Sequence, residues 1–206
     1  MTNQSANDPF VSIRITEFRN FAIARFLFIM GLRMMGTLVG WWMYELTNDP
    51  LALGLIGLSE VIPAVSMALY AGHIVDRSDR RNMIIRAVLS YGICVSLLLF
   101  ISTAFFTHQF GKSTVIYLVY LVIFITGIIR AFSGPSFGAV ISQLVPRSHL
   151  ANAVTWSQGT WLTASVTGHS LAGFLIAGFG ITGTLTAIIL MIAMALLIFN
   201  TIGQKP

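Results

Sequence analysis

The chain has 206 residues, 56% of them hydrophobic and only 9% charged, with a formal net charge of +5. Soluble domains carry about 25% charged residues, so this chain cannot clothe a core in polar surface, and its mean hydropathy of +0.83 places it in lipid. A soluble enzyme or a nucleic-acid-binding domain is excluded, and the surplus of positive charge needs another account.

The first 16 residues are polar, with Asp8, Pro9 and Arg14 among them and Glu17 following. They lack the apolar stretch and small-residue cleavage site of a secretory signal, and 1–16 reads as a cytoplasmic tail. Crossing ~30 Å of hydrocarbon takes about 20 apolar residues, and six runs qualify, giving an all-α membrane protein with a six-helix domain over 17–203. The first run covers 18–44 and is closed by a turn from Glu45 to Pro50. The second covers 51–75 and ends in a charged loop, Gly72 to Arg81. The third covers 83–106 and is followed by a turn over 107–113. The fourth covers 114–145 and is expected to be interrupted at Gly134–Pro135, because proline removes a helix hydrogen bond. A turn from Pro146 to His149 leads to the fifth, 150–177. A glycine-rich turn over 178–183 precedes the sixth, 184–202, and 204–206 begins a tail or a central loop.

The loop between the second and third runs must lie in water, since each Asp or Arg left in lipid costs roughly 2.5–3.5 kcal/mol. With the N-terminus inside, one face carries Arg14, Arg19, Arg77, Arg80, Arg81, Arg86, Arg147 and Lys205, and the other carries Lys112 alone. The positive-inside rule then puts both termini in the cytoplasm, at a cell inner membrane, and accounts for the basic charge without a nucleic-acid partner. Trp41, Trp42 and Tyr44 end the first run as an interfacial aromatic belt. The single cysteine, Cys94, lies within an apolar run. With no metal-ligand spacing and no phosphate-binding glycine loop, no metal or other cofactor is expected.

Ionisable groups at mid-depth are costly and mark function by default. Arg33 lies about 15 positions into the first run and Glu60 about 10 into the second, so their depths match and antiparallel neighbours can pair them. Arg130 lies within the fourth run. One reading makes Glu60 a protonatable carboxylate, its proton affinity set by desolvation against Arg33 or Arg130, whose protonation frees an arginine for an anionic group. The other makes these residues a structural ion pair holding the helices in register. Arg25, eight residues before Arg33, shares its face; it either snorkels to the interface or continues a basic stripe. His169, among Thr163, Ser165, Thr167 and Ser170, is a proton carrier or an uncharged packing residue.

Three motifs carry a resemblance. Gly72, Asp76, Arg77, Arg80 and Arg81 match in order and spacing the loop between helices two and three of the major facilitator superfamily. Asp79 replaces its usual second glycine, as in the efflux branch containing enterobactin exporters and macrolide efflux proteins. Arg130 to Gly134 resembles the R-x-x-x-G element of helix four. Gly159, followed by Gly168-His169-Ser170-Leu171-Ala172-Gly173, resembles the antiporter motif of helix five, with His169 and Ala172 where proline and glycine are usual.

The resemblance implies half of a twelve-helix fold and a transporter rather than an enzyme. It implies export of a small amphipathic or anionic compound coupled to protons, with a second six-helix half or a copy of the chain as partner. It makes Asp76 a latch on the opposite half and the loop arginines ties between spans two and three; a plain topology anchor is the other reading of that loop. Gly159, Gly168, Ala172 and Gly173 become sites of close helix approach against the other half. A non-transporting six-helix module, a truncated half that needs its partner, and an uptake symporter remain alternatives.

Overall fold

The computed structural model describes residues 9–203, apart from the side chain of Asp76; the expected tail at 1–8 and the stretch 204–206 lie outside the described residues. Six helices follow one another: α1 (Thr16–Thr47), α2 (Pro50–Ser66), α3 (Ala68–Asp76), α4 (Arg80–Ile101), α5 (Ala104–Leu144) and α6 (Leu150–Asn200). No strand occurs among the described residues. Four of these helices, α1, α4, α5 and α6, are long and apolar enough to cross a membrane. The pair α2–α3, bent by 52°, makes a fifth candidate.

Local chemistry sets the ends. α1 stops at Asn48, whose left-handed backbone (φ 52°) returns its N–H to the Tyr44 carbonyl; asparagine is one of the few residues that tolerate that conformation. Asp49 then caps α2 by accepting from the Leu51 N–H at 2.9 Å, with Pro50 at the first helical position, where its missing N–H costs nothing. Asp79 caps α4, accepting from the N–H groups of Arg81 and Asn82 at 2.9 and 3.3 Å. Its substitution by alanine removes that cap, at about 1 kcal/mol. Asp79→Ala is therefore expected to lower the thermal midpoint of the purified protein modestly without changing its helix content by circular dichroism.

The second apolar run is broken where the sequence suggested one helix. Pro63 lies inside α2, where proline kinks a helix, Ser66 Oγ donates back to the Ile62 carbonyl at 2.7 Å, and the chain turns at Met67 between α2 and α3. Conversely, the expected turn at 107–113 is largely helical, reduced to a break at Gly111 (φ 76°) within α5. The expected turn at 178–183 is reduced likewise to Gly180 (φ 66°) within α6. Both breaks use a backbone conformation that glycine alone adopts without strain. At Gly134–Pro135 no break appears: helical backbone continues on both sides of Pro135.

α1 is the central element, and its most extensive packing is against α6. Phe18, Phe21, Phe28, Met34, Leu38 and Met43 are all buried along it. Residues 25, 33 and 37 of α1 bond residues 157, 165 and 169 of α6, each pair 132 positions apart. A constant offset means the two helices run parallel in a single register. α2 is parallel to α5, with Ala52 beside Tyr120 and Glu60 beside Arg130. α4 is antiparallel to α5, through Arg80 to Ala139 and Tyr91 to Thr126. It is also antiparallel to the end of α6, through Arg81 to Asn200 and Gly92 to Ile192.

In lipid, helices associate by close contact rather than by hydrophobic transfer, and two glycines set the closest approaches. A β-carbon at Gly168 would lie 2.7 Å from the Met30 carbonyl oxygen and 2.8 Å from Arg33 Cβ. One at Gly127 would collide with the Glu60 carbonyl oxygen and lie 2.7 Å from Pro63 Cγ. The aromatic belt is corrected in one member: Trp41 and Tyr44 are exposed, but Trp42 is buried in the core.

Candidate functional site

The approach at Gly127 decides what happens three residues later. Residues i and i+3 share a helix face, so pressing the α2 backbone onto Gly127 brings Glu60 alongside Arg130. Arg130 Nη1 donates to Glu60 Oε1 at 2.6 Å. The pairing of Glu60 with Arg33 suggested by matching depth does not form. Arg33 turns instead toward α6, where its Nε donates to Ser165 Oγ at 3.3 Å and its guanidinium lies 5.3 Å from the Trp161 ring centroid.

Along the same α1–α6 seam, Thr37 Oγ1 and His169 Nδ1 share a hydrogen bond of 2.7 Å, and Thr37 also donates to the Arg33 carbonyl at 3.1 Å. Nearer the start of α1, Arg25 Nη1 donates to Ser157 Oγ, and its guanidinium lies 5.7 Å from the Phe137 ring centroid. Arg25 is thus held by α6 and an aromatic face, a cation–π arrangement.

These side chains surround one hollow of about 340 Å³, whose walls include Arg25, Arg33, Glu60, Arg130, Trp161 and His169. Pockets of roughly this size hold small organic ligands. Three guanidiniums face one carboxylate, and most of the rest of the lining, with Phe28, Ile29, Val39, Ile123 and Phe137 in it, is apolar or aromatic, Thr126 and Ser133 adding hydroxyls. Phe21, Phe28, Phe137 and Phe199 pack ring against ring at 5.7–6.3 Å on one side of the hollow. Glu60 and Arg130 are not sealed away: their side chains are 35% and 52% exposed.

Trp161, Ser157 and Gly127 belong to this arrangement although the sequence reading did not single them out, and Ser165 entered that reading only as a neighbour of His169. Their signal was there: Ser157 and Ser165 repeat the eight-residue spacing of Arg25 and Arg33, and Gly127 lies one turn before Arg130.

The charged loop is built differently from the sequence expectation. Arg80 Nη1 donates to the Ala139 carbonyl at 3.2 Å and Arg81 Nη2 to the Asn200 carbonyl at 2.9 Å. The arginines thus tie the start of α4 to α5 and to the end of α6, not to α3. Arg77 is exposed, and no neighbour lies close to a β-carbon placed on Gly72. The latch role of Asp76 rests on a side chain outside those described.

The helix-five motif divides between two faces of α6. Gly168 and Ala172 are buried, with Gly168 against α1, whereas Gly159 and Gly173 are exposed, with nothing within 4 Å of an added β-carbon. Among the described residues, therefore, no close approach occurs at Gly159 or Gly173.

A family profile described as "transmembrane secretion effector" matches residues 7–203. Two curated relatives are similar, macrolide efflux protein A of Streptococcus pyogenes and its counterpart in Streptococcus pyogenes serotype M6 (strain ATCC BAA-946 / MGAS10394). Each is 24% identical over 169 residues, covering 80% of this chain and 40% of the relative. The chain thus spans less than half the length of the curated relatives it matches. No solved structure matches.

Proposed function

The chain belongs to the transmembrane secretion effector family of the major facilitator superfamily, and from that premise we propose that it forms one half of a secondary exporter moving a small amphipathic compound outward in exchange for protons. Family membership points to transport rather than catalysis. The observation that carries the proposal is the Glu60–Arg130 pair, 2.6 Å apart in the wall of a hollow shared with Arg33 and His169.

The proposed body is a six-span domain over 17–203. α6 has 51 residues, about 76 Å at 1.5 Å per residue, more than twice the ~30 Å of hydrocarbon. Its break at Gly180 supports two crossings, 150–179 and 181–200. The parallel and antiparallel registers support the alternating directions that α1, α2–α3, α4, α5 and these two limbs would then have. The excess of Lys and Arg on one side orients both termini to the cytoplasm of an inner membrane.

A second six-helix half, or a second copy of this chain, would close the hollow. Asp76 and Arg77 of the loop, and Gly159 and Gly173 on the outer face of α6, would meet it. The two halves rock about the site to expose it to each side in turn.

Coupling follows from competition. A cargo carrying a hydrogen-bond donor or a cationic group leans on the Glu60 carboxylate; a proton arriving from outside neutralises that carboxylate and displaces the cargo, and loss of the proton to the cytoplasm restores the site. Each ligand shifts the equilibrium only by its differential affinity. A second reading is favoured by three guanidiniums against one carboxylate. Protonating Glu60 frees Arg130 for an anionic cargo, proton and cargo then bind together, and transport is symport.

The sign of the pH effect separates the two. With the assembled transporter reconstituted in vesicles, cargo binding is expected to weaken as pH falls, and an imposed proton gradient to drive dye export. Binding that strengthens as pH falls overturns exchange in favour of symport. A protein that moves no dye in either direction sinks transport and leaves a six-helix module.

A further inference from the structure

A second hollow, of about 390 Å³, lies between α4 and the last limb of α6, away from the charged site. Leu89, Ile93 and Leu97 of α4 form one wall and Ile189 and Leu196 of α6 the other. The groove is hollow because Gly92, Ser96 and Ala193 lack bulk where the helices face each other. Its one hydroxyl is already satisfied, since Ser96 Oγ donates to the Gly92 carbonyl at 2.9 Å. Such a groove gives a polar solute nothing to bond.

What sets it apart from ordinary lipid-facing surface is its end nearest the charged loop. Arg86 lies one turn before Leu89 on the same face of α4 and is exposed. Asn200 lies one turn after Leu196 on the opposite wall. Among the described residues neither side chain makes a hydrogen bond or an ion pair, whereas Arg80 and Arg81 use their donors on the Ala139 and Asn200 carbonyls. Arg86 is six residues inside α4, about 9 Å along the axis, within snorkelling reach of a headgroup.

From this juxtaposition we infer that the groove holds one phospholipid of anionic type, an acyl chain lying between α4 and the last limb of α6 and the phosphate on Arg86. A guanidinium binds a phosphate through two parallel hydrogen bonds, the Asn200 amide supplies a further donor, and the extra negative charge of an anionic headgroup favours a site whose one free charge is positive.

Native mass spectrometry of the detergent-purified protein tests this, with phosphatidylglycerol and phosphatidylcholine of identical acyl chains and glycerol phosphate as the headgroup alone. One phosphatidylglycerol is expected to stay bound, about fivefold more tightly than phosphatidylcholine, and glycerol phosphate is expected not to bind. Ala193→Phe fills the groove and Arg86→Gln removes the anchor; each is expected to abolish that preference, and Ser96→Leu repeats the filling should Ala193→Phe fold poorly. Equal retention of the two lipids by the unaltered chain overturns the anionic anchor. Undiminished phosphatidylglycerol binding in the filled variants overturns the groove, and tight glycerol phosphate binding overturns the role of the acyl chain.

Discussion

Replacing Glu60 by glutamine is expected to reduce proton-driven export to the level of empty vesicles while leaving the protein folded. A fully buried ion pair broken on one side costs 3–5 kcal/mol. This pair is 35% and 52% exposed, so solvent screens it and the stability loss falls to about 1 kcal/mol. Against that small effect stands a complete chemical one. Glu60 is the only carboxylate lining the hollow among the described residues, and glutamine cannot take up a proton. The double variant Glu60→Gln/Arg130→Gln removes the arginine left behind and is expected to melt like the unaltered protein, still without proton-driven export. Full export by Glu60→Gln would strike Glu60 from the coupling scheme. Restored export in the double variant would reduce the pair to a structural clasp.

Gly127→Ala is expected to be the most damaging single methyl in the domain. Overpacking costs typically 1–3 kcal/mol when neighbours can shift. Here the nearest neighbour is the Glu60 backbone carbonyl, which no rotamer change can move, so a loss of about 3 kcal/mol is expected. α2 must move away from α5, and the Glu60–Arg130 contact separates with it. Thermal unfolding should show a fall of several degrees, and export should drop in the same variant. Gly138→Ala, further along α5 and followed by alanine, is the control. Nothing lies within 4 Å of its β-carbon, and replacing a mid-helix glycine gains roughly 0.5–1 kcal/mol. Equal melting of the two variants would remove Gly127 from its place beneath the ion pair.

The apolar runs were legible because the demand of lipid for about 20 apolar residues leaves its mark directly on sequence. Hence the limits of the first run and the starts of the third and fifth fall near the helix ends found, whereas the expected end of the third, at 106, falls inside α5. Arg33, Glu60 and Arg130 were legible for a related reason, since charge at mid-depth is too costly to be incidental; Arg25 and His169 entered by helix face and by motif instead. The pairing of Glu60 was not legible. Which arginine meets Glu60 depends on how closely α2 and α5 approach, and that is set by a glycine whose local sequence says nothing of its neighbour. Depth alone suggested Arg33; the contact at Gly127 selects Arg130. The bend at Met67 had a visible sign in Pro63, four residues earlier inside the second run, but the sequence reading carries one continuous span through that proline. Asp79 looked like a departure from a glycine pattern, yet it caps α4.

The shared offset of 132 between α1 and the first part of α6 has a mechanical consequence. With three rungs cut to the same spacing, the two rods dock at one notch only, as a vernier does. Sliding either by a single position would unseat Arg25, Arg33 and Thr37 together. In the proposed transport cycle, any large displacement is thus forced outside this pair, which travels as one stiff lever.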